Sequence, residues 1–169
     1  MADDGITVDL AGLAELQAKF DTLSDRERDR AARAAVRAGA LIEQAAIVAK
    51  APVKVGDGGS LPAGALKSDF VIKVAKGSDG VMRANVGPGK LTAHVARWIE
   101  YGHRLVRGGK SRLKKYGLVS GPGKQIGEVP ADPFIRTAFE ESRAQVESTV
   151  RNTFKREITS AWKRMSKRK

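Results

Sequence analysis

One long apolar stripe near the C-terminus constrains this 169-residue chain more than any other feature. Asp132 and Pro133 are typical of a helix start, because aspartate caps the first amides and proline fits the first helical position. Eight apolar residues then recur at helical spacing: Ile135, Phe139, Val146, Val150, Phe154, Ile158, Trp162 and Met165. They predict one helix to about Met165. Because a helix of about 30 residues is long for a globular domain, we expect its far end, from Phe154 on, to pack on something outside the domain.

A second long helix is predicted near the N-terminus. Ser24 and Glu27 match a capping box, in which the Ser24 hydroxyl accepts the Glu27 amide and the Glu27 side chain reaches back to the Ser24 amide. An alanine-rich helix follows to about Ala49, and Pro52 ends it. Its first half carries five arginines: Arg26, Arg28, Arg30, Arg33 and Arg37. We expect this half to project or to meet a neighbour, and the second half to be buried.

The remaining elements are short. Apolar alternation predicts a strand over residues 6–10, and helical spacing predicts a short helix over residues 13–20. Residues 69–76 and 81–87 alternate around a glycine-containing turn, which predicts a hairpin covered by the alanine-rich helix. The predicted fold class is α+β, with a small antiparallel β-sheet packed against a long N-terminal alanine-rich helix and a long C-terminal helix. We expect a single domain over residues 1–169, with a core of about 6–150.

Basic residues concentrate in two segments that we predict to contact DNA or a partner. Residues 92–101 form a short helix that Gly102 ends, and the glycine-rich insert over residues 103–128 follows. The insert carries seven bases: Arg104, Arg107, Lys110, Arg112, Lys114, Lys115 and Lys124. A helical extension over residues 151–169 ends in five more: Lys163, Arg164, Lys167, Arg168 and Lys169.

The net charge of +12 is unevenly distributed. Residues 1–29 contain eight acids and three bases, a net charge of −5, and the rest of the chain has a net charge of +17. This distribution suits contact with a polyanion at one end of the chain. It suits equally a head-to-tail contact in which the acidic patch of one subunit meets the basic patch of the next.

The residues argue against catalysis, metal binding and cofactor binding. The chain has no cysteine, and its two histidines, His94 and His103, have no convincing third ligand. Gly-Pro-Gly-Lys occurs at residues 87–90 and 121–124, but neither copy has the leading glycine and following Ser or Thr of a phosphate loop. No apolar run approaches the roughly 20 residues that span a bilayer. We therefore predict no enzyme, no cofactor, no small-molecule substrate and no membrane partner.

Two short motifs are similar to a known family. The first is Val95-Ala-Arg-Trp-Ile-Glu-Tyr-Gly102, and the second is Pro130-Ala-Asp-Pro-Phe-Ile-Arg-Thr-Ala138. We interpret them as a structural frame built from Trp98, Glu100, Gly102, Pro130, Pro133 and Phe134. Their order, after a long helix and a hairpin, resembles the tail-completion (neck, or minor tail) protein family of long-tailed double-stranded DNA phages. The resemblance covers residues 6 to about 145.

The resemblance implies a non-catalytic virion protein at the head–tail junction, present in the host cytoplasm during assembly. It implies a homo-oligomeric ring whose partners are other neck, connector and tail proteins, with the genomic DNA passing through. The basic insert would then face DNA or an adjacent ring. The insert and the C-terminal extension exceed the family core, and His103 stands where the family has a small hydroxyl residue. A tail terminator or other minor tail protein remains an alternative, as does a free sequence-nonspecific DNA-binding protein.

Overall fold

The fold is α+β, as predicted. The computed structural model describes residues 10–53, 61–107 and 123–167. Its elements in chain order are α1 (Leu10–Asp21), α2 (Asp25–Lys50), α3 (Ala65–Ser68), β1 (Phe70–Lys76), β2 (Met82–Pro88), α4 (Ala93–Tyr101), β3 (His103–Arg107), β4 (Lys124–Val129) and α5 (Phe134–Ser166). The strands form two separate two-stranded sheets, β1 with β2 and β3 with β4.

The chain divides into two compact units. Unit 1 lies within Met1–Glu43, Ile72–Val86 and Ser142–Lys169, and unit 2 lies within Gln44–Val71 and Gly87–Glu141. The expectation of a single domain stays a prediction.

Most elements lie where the sequence predicts them, with two corrections. The long helix α2 ends at Lys50, two residues before Pro52, and α5 ends at Ser166. The predicted strand over residues 6–10 falls mostly outside the described residues, but Leu10 begins helix α1, which continues through Gly12. The basic insert is not a loop throughout, because its two ends form the strands β3 and β4.

The core of unit 1 joins three helices of the same chain. Leu23, Ala31, Ile158 and Ala161 are buried, with Leu16, Phe20, Phe154 and Met165 packed against them. The rings of Phe20 and Phe154 lie 6.0 Å apart. The expectation that α5 packs outside the domain from Phe154 on is therefore wrong, because α1 and α2 supply the apolar cover.

The first half of α2 is buried along one side, so the expectation that it projects is wrong, while the alternative that it meets a neighbour stays a prediction. Ala31 and Ala35 are almost inaccessible, while Arg26, Arg30 and Arg37 are exposed on the same helix. Small alanine side chains allow close approach of a packed helix, and the arginines occupy only the outer face. A Cβ added at buried Gly39 would lie 2.5 Å from a methyl carbon of Val150, so α2 and α5 are in tight contact here.

Polar contacts fix the start of α2 and hold the β1–β2 hairpin against it. The Ser24 amide donates to the Glu27 carboxylate at 3.2 Å, as the capping box predicts. The Ser24 hydroxyl donates to the same carboxylate rather than accepting the Glu27 amide, which bonds to the Ser24 carbonyl. From the hairpin, Lys76 binds Asp29 at 2.8 Å, and the Val74 carbonyl accepts a bond from Arg33 at 3.3 Å.

Unit 2 is built around the aromatic pair Phe70 and Phe134. Both side chains are buried, and their rings meet edge to face at 6.2 Å. The Gln44 side-chain amide donates to the Phe70 carbonyl at 2.7 Å. The adjacent Asp69 carboxylate accepts both the amide and the hydroxyl of buried Thr92, each at 2.9 Å, which fixes the start of α4.

Candidate interaction surface

The two motifs that the sequence singles out are in direct contact in unit 2. The first amides of a helix have no intrahelical partner. Glu100, near the end of α4, supplies acceptors for two of them: its carboxylate accepts the amide of Ile135 at 2.9 Å and that of Arg136 at 3.2 Å. The Ile99 carbonyl also accepts the amide of Asp132 at 2.8 Å. We call residues 98–103 and 129–136 the α4–α5 clamp.

Glu100 is a buried acid whose charge is complemented by a helix end. It is only 6% exposed, and a negative charge at a helix N-terminus interacts favourably with the helix dipole. The sequence assigned the capping of α5 to Asp132. The structure corrects this assignment. Asp132 contacts the first turn of α5 with its backbone carbonyl, which accepts the Phe134 amide at 2.8 Å. The carboxylate that caps the helix is that of Glu100.

Gly102 allows the two halves of the clamp to approach. Its φ of 70° and ψ of 169° lie in a region that is almost exclusive to glycine. A Cβ at this position would also lie 2.7 Å from the Val129 carbonyl oxygen and 2.9 Å from the Ala131 nitrogen. Gly102 therefore links the end of α4 to the start of β3 and leaves room for the backbone that follows β4. Pro130 and Pro133 lie on that segment, between β4 and α5.

Trp98 extends from the clamp to the protein surface. Its ring meets His94 edge to face at 5.2 Å and stacks on His103, the first residue of β3, at 5.3 Å. It is nevertheless 48% exposed, unlike the buried Phe134. Of the residues predicted to form the structural frame, Trp98 thus contributes mainly to the surface.

The strands that follow α4 present further apolar side chains to solvent. The exposed fractions are 70% for Tyr101, 53% for Val106 and 60% for Ile126. Together with Trp98 and the half-exposed Leu105, these exposed residues of α4, β3 and β4 are what we call the aromatic–hairpin surface. A two-stranded hairpin is only marginally stable in water by itself, and exposed apolar patches mark interaction sites. The surface has the composition of a protein interface.

Basic residues are interspersed with the apolar ones along β3 and β4. In the antiparallel register, Arg107 lies opposite Lys124, and Arg104 lies opposite Glu128. Like charges on directly opposed residues are destabilising, so Arg107 and Lys124 would be stabilised by a partner that brings negative charge.

The structure separates the predicted basic contacts into two places. Arg104, Arg107 and Lys124 come together on β3 and β4 in unit 2, whereas exposed Lys163, Arg164 and Lys167 lie at the end of α5 in unit 1. The other predicted contacts lie outside the described residues: Lys110, Arg112, Lys114, Lys115, Arg168 and Lys169. The pairing of β3 with β4 is the feature that sequence reasoning missed, and the alternation around Ile126 was its only local signal.

The groups with clearly perturbed pKa values belong to unit 1, not to this surface. The Arg83 guanidinium, with help from the Val81 amide, lowers the pKa of Asp79 in the β1–β2 turn to about 2. Burial raises the pKa of Glu43. Within residues 10–53, 61–107 and 123–167, no group of three or more His, Cys, Asp or Glu side chains could hold a metal ion. None of the helices in those ranges has the length and apolar character needed to cross a membrane.

Comparison with protein families gives a match over residues 14–102 to the family described as "Bacteriophage HK97-gp10, putative tail-component". The chain belongs to the HK97-gp10-like family. The matched segment begins in α1 and ends at Gly102, so it includes α2, the β1–β2 hairpin and the first half of the clamp. Neither the curated proteins nor the solved structures contain a match to the chain. The predicted resemblance to a phage tail or neck family is confirmed as membership of a phage tail-component family.

Proposed function

We propose that the chain is a structural, non-catalytic subunit of the phage virion that assembles as a homo-oligomeric ring at the head–tail junction. In this role it connects the head connector to the tail and has other neck, connector and tail proteins as partners. Membership of a phage tail-component family supports the structural role. The observation that carries the proposal is the aromatic–hairpin surface, whose position the α4–α5 clamp fixes through the Glu100 contacts at 2.9 and 3.2 Å.

The occupant that we assign to the aromatic–hairpin surface is a second copy of the chain. A ring requires a head-to-tail contact, in which two different patches of the same chain meet. The basic residues around the surface call for an acidic partner, and residues 1–29 have a net charge of −5. Within that segment, the side chains of Glu15 on α1 and Asp25 on α2 are 68% and 94% exposed, although each is ion-paired within its own helix. The charges of the two patches are complementary, which favours such a contact.

Loss of assembly on disruption of the surface is the test. We expect the double variant Val106→Ser, Ile126→Ser to remain folded and to give a lower mass by light scattering than the wild-type protein at the same concentration. The matched control is Val81→Ser, since Val81 is 52% exposed but belongs to the β1–β2 turn. A wild-type protein that stays monomeric at high concentration would contradict the ring. An unchanged mass for the double variant would contradict the assigned surface.

The basic insert supports a further part of the proposal, in which its bases face the DNA or an adjacent ring. Two of these basic residues, Arg107 and Lys124, lie opposite each other where β3 and β4 pair. The role of a tail terminator or other minor tail protein would use the same surfaces.

The net charge of +12 favours a second candidate function, that of a free, sequence-nonspecific DNA-binding protein. Tight binding of duplex DNA at physiological salt by the monomer, with no ring formed, would support that alternative.

A further inference from the structure

Four arginines of α2 lie along one narrow line on the outside of unit 1. Arg26, Arg30, Arg33 and Arg37 are separated by four, three and four residues, and all four are exposed. At 3.6 residues per turn these positions fall within an arc of about 60°, and at 1.5 Å per residue they extend over about 16 Å. We call them the arginine stripe. Arg28 of the same helix points elsewhere, since it donates to the Phe20 and Asp21 carbonyls.

The acids interleaved with the arginine stripe are already engaged by other groups of the chain. Each of the three carboxylates in the first turns of α2 has a separate partner: Asp25 has Arg28 at 3.7 Å, Glu27 has Ser24 at 3.0 Å, and Asp29 has Lys76 at 2.8 Å. Two of the three, Asp25 and Asp29, are thus paired with cations outside the stripe.

The arginine stripe has no acidic partner in the part of the chain that the structure describes. Among the described residues, no carboxylate lies within 4.0 Å of the guanidinium of Arg26, Arg30 or Arg37. Arg33 donates to the carbonyl of Val74, which is neutral. By comparison, the exposed arginines Arg83 and Arg143 each bind a carboxylate of their own element or turn. The stripe differs from these two arginines in this respect.

The end of α5 extends the basic area. Arg30 lines a cleft of about 440 Å³ together with Arg164 and Lys167. The two acids of this cleft have partners, because Glu27 binds Ser24 at 3.0 Å and Glu157 faces Arg156 at 3.6 Å. The arginine stripe and the last turn of α5 therefore present one group of cations within unit 1.

We propose that the arginine stripe binds the phosphodiester backbone of double-stranded DNA without sequence preference. The planar guanidinium matches phosphate oxygens in a two-pronged contact, which an ammonium does not. A DNA strand carries one phosphate per about 3.4 Å of axis, so about 16 Å of helix covers roughly five phosphates of one strand. The stripe holds no aromatic residue, whereas protein interfaces are enriched in them. An extended polyanion therefore fits it better than a protein surface does.

The stripe shares no residue with the aromatic–hairpin surface, and its test uses the isolated 169-residue chain. The assay is fluorescence anisotropy with a 30-base-pair duplex over a series of salt concentrations. Each phosphate contact steepens the slope of log affinity against log salt by about 0.9. We expect the triple variant Arg26→Gln, Arg30→Gln, Arg37→Gln to reduce this slope by about 2.7. Arg33 is left unchanged because it contacts the β1–β2 hairpin.

Two further variants decide between outcomes. Arg143→Gln, Arg151→Gln, Arg156→Gln removes the same charge from exposed positions of α5, and we expect it to change the slope by less than half as much. The conservative triple Arg26→Lys, Arg30→Lys, Arg37→Lys keeps the positive charge, so it should bind the duplex more weakly than wild type but with the same slope against salt. This variant still tests the stripe if the glutamine variant fails to fold.

The proposal is overturned if wild-type protein does not bind the duplex, or if the control lowers the slope as far as the stripe variant. A wild-type slope in the stripe variant together with a changed light-scattering mass would assign the stripe to a protein contact instead. Ring assembly and virion position are measured separately, so their failure is distinguishable from failure of DNA binding.

Discussion

Removal of the Glu100 carboxylate is the most informative single perturbation of the α4–α5 clamp. Glu100→Ala leaves the amides of Ile135 and Arg136 without their acceptor in a site where Glu100 itself is only 6% exposed. A hydrogen bond to a charged group contributes about 1.5–3 kcal/mol. Because two amides lose one shared carboxylate, we expect a loss of about 3 kcal/mol in the free energy of unfolding.

Thermal unfolding followed by circular dichroism at pH 7 measures this loss. For a chain of this size, 1 kcal/mol corresponds to about 2–4 °C in Tm, so Glu100→Ala should lower Tm by about 6–12 °C. Glu100→Gln keeps one carbonyl acceptor but loses the charge, and we expect about half that effect. Glu140→Ala is the control, because Glu140 is an exposed acid of α5. A Tm for Glu100→Ala within about 1 °C of the control would refute the capping role and, with it, the fixed position of the aromatic–hairpin surface.

Three other substitutions test single features of the structure. Gly102→Ala should lower the free energy of unfolding by more than about 3 kcal/mol. Strained backbone at a positive φ alone costs about 1–3 kcal/mol, and the added Cβ would also lie 2.7 Å from a carbonyl oxygen. A stability equal to wild type would contradict the clamp geometry. Gly39→Ala should destabilise by about 1–3 kcal/mol through overpacking, and Val150→Ala in the same chain should relieve the effect; a stabilised Gly39→Ala, as helix propensity alone would give, would show that the contact is loose. Nuclear magnetic resonance should find the Asp79 pKa at about 2, with Arg83→Gln returning it toward 3.8. Because this pKa is lowered in the folded state, its contribution to stability is present above about pH 4 and is lost as the pH falls through 2; an Asp79 pKa that does not respond to Arg83→Gln would exclude the ion pair.

The long helices and the first hairpin could be predicted because their signals are local. Helical spacing from Ile135 to Met165 and the capping box at Ser24 each lie within one element. The proline and aspartate that precede α5 located its start correctly. What Glu100 contacts could not be read from the chain, since its partner amides lie 35 and 36 residues further on.

Long-range packing accounts for the wrong expectations. The apolar residues at the far end of α5 must be buried against something, but the sequence does not say against what. In the fold, Phe154 packs on Phe20 of the same chain rather than on another protein. The strands β3 and β4 were missed because most of their side chains are exposed, which leaves little apolar alternation to detect. The spacing of the arginines on α2 was visible in the sequence. Whether the acids on α2 pair with these arginines could not be predicted, because it depends on long-range contacts such as that between Asp29 and Lys76.

Electron cryomicroscopy of intact phage particles tests the central claim most directly. The proposed function predicts a ring of copies around the tail axis between the connector and the tail. In that ring, the surface formed by Trp98, Tyr101, Val106 and Ile126 of one copy should face the acidic N-terminal segment, including α1, of the next. Absence of the protein from purified particles, or its location in the capsid shell, would contradict the proposed function.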